Sequence, residues 1–246
     1  MGMLVASVDP AITEILGTAG FDYVLLDGEA APFTVDTVLQ HVRAAESRGI
    51  LPFIRVLENT PATIRRYLDV GCQGIVIPHA ETAEDMDNAL SATRFAPRGV
   101  RGMCPACHGA RYSLPGHQAW GSWYDPDSVV VMPIVESRRA LANLDQILQV
   151  DGIDFLLFGA GDLAQEFGVS ASVEQSGPVL DAWYGFVEKV HAHKKYVVAT
   201  PYPEVSPASV RKLFDQGADS VMHNTDLLVF HETVRQIIAV RDEATS

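Results

Sequence analysis

The chain has 246 residues, 48% of them apolar, and its 18 Lys and Arg stand against 31 Asp and Glu for a formal charge of −13. That length holds one large domain or two small ones, and that apolar fraction excludes a disordered chain. The acidity argues against nucleic acid and anionic membranes, whose phosphates it would repel, and no apolar run reaches the roughly 18–20 residues that span a bilayer.

The opening stretch MGMLVASVDP has no basic segment before an apolar core, so no secretory signal is expected. Three Cys in a chain of this size point to free thiols and a cytoplasmic location.

Taken in order, short β-branched and aromatic runs predict eight strands: Met3–Ser7, Tyr23–Asp27, Leu51–Arg55, Gly74–Pro78, Val129–Val135, Phe155–Phe158, Tyr196–Ala199 and Ser220–His223. Stretches of helical period follow them. Pro10–Ala19 is expected to start after Asp9 as N-cap, and Thr34–Ser47 to stop before Gly49. Thr60–Val70 has Thr60 as cap, Pro61 at the first position and Gly71 after its end. Ala83–Thr93 opens on Thr82 and Asp85, a capping-box pair with Asp in place of Glu. Arg138–Gln149, Val173–His193, Ser206–Gln216 and Asp226–Arg241 complete the set. Eight strand–helix units in about 250 residues is the arithmetic of a (β/α)8 barrel. The rival, an open doubly wound sheet, usually carries a Gly-rich turn after its first strand, and here that strand leads into SVDPAI. The expectation is an α/β TIM barrel, a single domain over residues 1–246.

One connection is abnormal. Residues of about 95–128, FAPRGVRGMCPACHGARYSLPGHQAWGSWYDPDS, form a loop far longer than the norm, and such loops are commonly functional. It is expected at the C-terminal face of the barrel, where active sites lie.

Polar residues at the C-terminal strand ends would converge on that mouth. They are Asp27-Gly28-Glu29, Arg55, Pro78-His79, Glu136, Gly159-Ala160-Gly161-Asp162, Thr200, and His223-Asn224. Four carboxylates and one Arg call for a cation. Glu136 and Asp162, one βα unit apart, suit a hard divalent ion, although either alone could be a helix-start acid. Arg55 could equally be an ion-pair partner for Asp27 or Glu29.

The phrases GFDYVLLDGEAAPF, PFIRVLENTPATIRRYLDVGCQGIVIPHAETAEDM, ATRFAPRGVRG, PIVESRRALANLDQIL and GIDFLLFGAGDLA are similar to the HpcH/HpaI aldolase and citrate lyase β-subunit family, in order and spacing over residues 4–240. The resemblance implies a metal-dependent class II pyruvate aldolase. It implies Glu136 and Asp162 as metal ligands, with Mg2+ expected and Mn2+ or Co2+ as alternatives. It implies Arg55 at the substrate keto oxygen, and the N–H groups of Gly161 and Asp162 at the substrate carboxylate. The substrate would be a 2-oxo acid, pyruvate or oxaloacetate, with an aldehyde or other acceptor.

The chain departs from the family pattern in two places. The family has His directly after D-G-E, paired with the Asp for acid–base work, and this chain has Ala30. His79, His108, His117, Asp27 or a metal-bound water are the candidate replacements. Arg111, in GARYS, is a candidate for an anionic group on the substrate. CPACH at 104–108 invites haem or zinc readings; the compartment opposes haem, and for zinc only His117 lies close by. Neutral thiols at Cys104 and Cys107 are expected instead. The second departure is at the start, where the family often has a helix closing the barrel floor. Here the floor is expected to be closed otherwise, for instance by a neighbouring subunit. The terminal helix, with Leu227, Leu228, Phe230, Val234, Ile237 and Ile238, is apolar; family members exchange this helix in dimers and form hexamers, so a homo-oligomer, a trimer of dimers, is expected. The leading reading is a lyase. A condensing enzyme of citrate-synthase type and a degenerate 2-oxo-acid-binding barrel are the alternatives.

Overall fold

A computed structural model describes residues 1–112, 129–169, 177–201 and 206–245. Eight parallel strands close into a barrel in sequence order: β1 Gly2–Val5, β2 Tyr23–Asp27, β3 Leu51–Arg55, β4 Gly74–Ile77, β5 Val130–Val135, β6 Phe155–Phe158, β7 Tyr196–Ala199 and β8 Ser220–His223. The expected (β/α)8 fold is the one observed. Among the described residues the helices are α1 Ala11–Ala19, α2 Val35–Arg48, α3 Pro61–Asp69, α4 Ala83–Thr93, α5 Arg138–Ala142, α6 Leu144–Leu148, α7 Ala160–Phe167, α8 Gly177–Ala192, α9 Pro207–Asp215 and α10 Asp226–Thr245. None is long and apolar enough to cross a membrane.

Local chemistry sets most boundaries. Thr34, Thr60, Thr82, Ser137 and Ser206 each cap a helix by accepting an N–H from its first turn, leaving fewer orphan donors there. Before α1 the capping position is Pro10 rather than Asp9, though Asp9 Oδ1 still accepts the Ala11 N–H at 2.9 Å. Two expectations are corrected. The stretch 138–149 is two short helices, because Asn143 breaks the run and turns its side-chain amide to the Glu81 carbonyl at 2.9 Å. The helix list after β6 is also extended: a helix over Ala160–Phe167, in which Leu163 and Ala164 pack into the core, precedes the expected one.

The two-residue period of the strands divides the core. Outward residues such as Val24, Leu26, Ile54, Ile75 and Ile77 pack under the helices with Ile64, Met86 and Trp183. Inward residues, among them Tyr23, Leu25, Phe53, Val76, Met132, Ile134 and Leu157, fill the barrel itself. Within the chain its floor is filled by Tyr23 and Phe53, which stack with centroids 5.2 Å apart across the N-terminal ends of β2 and β3. Gly74 makes room, since a Cβ there would lie 2.4 Å from the Phe53 ring. Burial pushes the Tyr23 phenol up to about 12, so it stays neutral.

Candidate active site

Following the inward rows towards the C-terminal ends turns apolar into charged. Tyr23 and Leu25 lead to Asp27, Phe53 leads to Arg55, and Met132 and Ile134 lead to Glu136. The pairing Asp27↔Arg55 in the β2–β3 register places these two side by side. Arg55 Nε and Nη2 fork onto the two Asp27 oxygens at 3.0 and 2.7 Å, and Nη1 reaches Glu29 Oε2 at 3.0 Å. Asp27 Oδ1 also accepts the N–H groups of Glu29 and Ala30, at 3.2 and 3.1 Å, which fixes the D-G-E turn. Burial opposes the Arg55 charge, but the Asp27 hydrogen bonds and the charges of Asp27, Glu29 and Glu136 outweigh it, so its pKa is raised. Both ion pairs considered for Arg55 are therefore made.

Glu136 follows β5 and is 5% exposed. Its Oε1 accepts the His79 N–H at 2.6 Å and lies 3.3 Å from His79 Nδ1. His79 Nε2 in turn is 3.3 Å from Glu29 Oε1, so the ring spans the two carboxylates. His79 holds φ at +50°, in the left-handed region that is uncommon for a residue with a side chain. Burial, with the Asp162 charge adding, pushes the Glu136 carboxyl up to about 7, against the lowering effect of the His79 N–H. Gly159 is required beside it, because a Cβ there would lie 2.4 Å from the Glu136 Cβ. Gly159 also heads α7 with no side-chain cap, and Asp162 stands in the first turn of that helix. The N–H groups of this turn are the usual place for an anion. The Arg138 N–H, at the start of α5, donates to Glu166 Oε2 on α7 at 2.8 Å, tying the segment after Glu136 to the helix carrying Asp162.

The profile of the HpcH/HpaI aldolase/citrate lyase family matches residues 1–201 of this barrel. The chain belongs to that family. It is 31% identical over 244 residues to a 2-keto-3-deoxy-L-rhamnonate aldolase of Salmonella schwarzengrund (strain CVM19633), covering 98% of this chain and 88% of the relative. Its fold is that of the HpcH/HpaI aldolase from Desulfitobacterium hafniense DCB-2, with a TM-score of 0.89 at 22% identity, covering 98% of this chain and 92% of that one. The citrate synthase SbnG shares the fold as well, with a TM-score of 0.83 at 24% identity and coverage of 99% and 93%.

In this HpcH/HpaI family member the structure gathers Asp27, Arg55, His79, Glu136, Gly161 and Asp162 at one mouth. It does not bring His108 and Arg111 there. The described part of the long connection, up to Tyr112, lies at the N-terminal face, opposite to the face expected. His108 Nε2 meets Glu46 Oε2 at 3.0 Å near the end of α2. His108 and Arg111 line a cavity of about 510 Å³ with Leu51 and Gln73, at the starts of β3 and β4. His117 lies outside the described residues. Two members of the mouth were undervalued by sequence reasoning. Glu29 meets both Arg55 and His79, and the D-G-E phrase already carried that signal. Asn224, 5% exposed and inward by the strand period, gives its amide to the Pro201 carbonyl at 3.4 Å.

Proposed function

We propose that this lyase-family enzyme breaks a carbon–carbon bond next to a 2-oxo acid, releasing pyruvate, with a divalent cation held by Glu136 and Asp162. The observation that carries this reading is the partition of charge in the mouth. Arg55 is held by Asp27 and Glu29, so among the described residues Glu136, buried beside Asp162, has no Lys or Arg partner and only the His79 ring against it. The donor set fits a hard ion: two carboxylates, Glu136 and Asp162, leave positions for substrate and water. Mg2+ suits it first, then Mn2+ or Co2+. When bound, such an ion supplies Lewis-acid polarisation of the keto oxygen.

The protein groups then divide the remaining work. The first-turn N–H groups of Gly161 and Asp162 receive the substrate carboxylate. Arg55, pinned by Asp27, turns its guanidinium to the oxygen on which negative charge develops, and it cannot lose its proton there. Asp27 is a positioning group, since its oxygens are occupied by Arg55 and the turn. Ala30 can move no proton, so that work passes to His79, the imidazole nearest to Glu29 and Glu136, acting at the hydroxyl of the aldehyde half. Ala30 also favours a second reading, condensation of a 2-oxo acid with an acceptor at the same site.

The exposed apolar side chains of α10, with Phe230 at 70%, support a homo-oligomer in which this helix packs on a second copy. Three free cysteines suit a reducing cytoplasm. The test is a panel of 4-hydroxy-2-oxo acids with Mg2+, coupling pyruvate release to lactate dehydrogenase. Release that needs metal and disappears in Glu136→Gln supports the lyase. Consumption of pyruvate with an acceptor, and no release, supports condensation. Neither reaction in any metal contradicts both.

A further inference from the structure

His79 and Glu136 belong to different loops, one after β4 and one after β5, yet the His79 N–H sits 2.6 Å from Glu136 Oε1. The left-handed conformation of His79 persists only where its surroundings hold it, so the contacts that keep the two loops in register matter here. The residues adjoining each supply the tie. Glu81, two residues beyond His79, receives the Ser137 hydroxyl on Oε1 at 2.9 Å and Arg139 Nη1 on Oε2 at 2.9 Å. Ser137 directly follows Glu136, and its Oγ also accepts the Ala140 N–H at 3.0 Å. Asn143 closes the bridge from the end of α5, donating to the Glu81 carbonyl at 2.9 Å. Glu81 is itself fixed from behind: its N–H and that of Thr82 both donate to Asp85 Oδ2, at 3.1 and 2.8 Å. One carboxylate, on the residue before the Thr82 cap of α4, thus reaches the Ser137 cap and the first turn of α5, across the gap that His79 and Glu136 span.

We infer that Glu81 is a positioning residue that clamps the β4 and β5 loops together and so sets the orientation of Glu136 towards its cation. The inference rests on the proposed metal site and extends it beyond the ligands themselves. Groups that orient metal ligands through hydrogen bonds commonly change metal affinity by 10- to 100-fold when removed. The Arg139 arm is solvated, its side chain being 66% exposed, so the Ser137 arm carries most of the effect.

The test is calorimetric titration of the full-length protein with Mn2+ alone at pH 8. Thermal unfolding of each variant is followed in parallel to confirm the fold. Glu81→Ala is expected to bind Mn2+ about tenfold more weakly than wild type. Glu81→Gln keeps an oxygen for the Ser137 hydroxyl and is expected to bind within about threefold of wild type. Arg139→Met removes only the solvated arm and is also expected to stay within about threefold. Wild-type affinity in Glu81→Ala overturns the clamp. Equal weakening in Gln and Ala overturns it too, since it assigns the effect to the charge of Glu81 instead. If wild type itself binds no Mn2+, the metal reading falls and the clamp falls with it, an outcome distinguished from the other two by the wild-type isotherm.

Discussion

At the N-terminal end of β2 the inward side chain is Tyr23; four residues on, at the C-terminal end, it is Asp27. The same contrast runs along β3, from Phe53 to Arg55. At the floor, a titratable group is kept neutral by burial, with the Tyr23 phenol at about 12, and aromatic stacking fills the space. At the mouth, burial acts on groups that stay charged by pairing, as Arg55 does with Asp27, or that are pushed towards neutrality, as Glu136 is, to about 7. One end stores stability and the other stores reactivity, and only the choice of inward residue separates them.

The comparison breaks most visibly at Arg55. Arg55→Ala is expected to lower kcat/KM by about 10²–10³-fold, the scale for losing a group that faces developing negative charge. It also strands Asp27, 5% exposed, so a fall in denaturation midpoint should accompany the loss of activity. Phe53→Ala tests the other end. Emptying a floor position that is 7% exposed should cost about 3–4 kcal/mol in urea unfolding while leaving metal affinity unchanged. If Mn2+ binding weakened as well, the two ends would not be separable.

Glu136→Gln sharpens the comparison through pH. The folded-state carboxyl sits at about 7, above its ordinary 4.5, so ionisation disfavours the metal-free fold. That penalty is absent well below 4.5, grows as pH rises and is complete above about 7, reaching on the order of 3 kcal/mol. Metal-free Glu136→Gln should therefore unfold at a higher temperature than metal-free wild type at pH 8, with the advantage vanishing towards pH 4. An advantage independent of pH would contradict the assignment. The smallest effect is expected from His108→Asn and Arg111→Ala, which lie at the floor end of their own barrel: kcat/KM within about threefold of wild type. A larger drop would mean that this loop works in the mouth of a neighbouring copy.

Much of the barrel was legible because its period is simple. Five of the eight strands begin and end where alternation and flanking Gly placed them, and Asp27, Arg55 and Glu136 continue rows of inward apolar residues. What failed was information carried across the fold. The break at Asn143 depends on a carbonyl 62 residues away. The Glu81 clamp joins residues 56 and 58 apart, and neither spacing leaves a local pattern. The Gly, Arg and His content of the long loop says nothing of which end it occupies; connectivity does, because a segment between a helix and the next strand returns to the barrel floor, where His108 and Arg111 lie. Nothing local in the sequence separates His79 from the other histidines; its backbone N–H and ring nitrogens are singled out only by lying against Glu136 and Glu29.

The central claim is that the mouth activates the methyl group of a 2-oxo acid with Glu136, Asp162 and a divalent ion. Methyl-proton exchange of pyruvate in D2O, followed by NMR, tests it without knowledge of the acceptor. Exchange that requires Mg2+ or Mn2+, and that is abolished in Glu136→Gln and Arg55→Ala, is the predicted result. Exchange that proceeds equally without metal, or no exchange with any metal while Mn2+ binds, would contradict it.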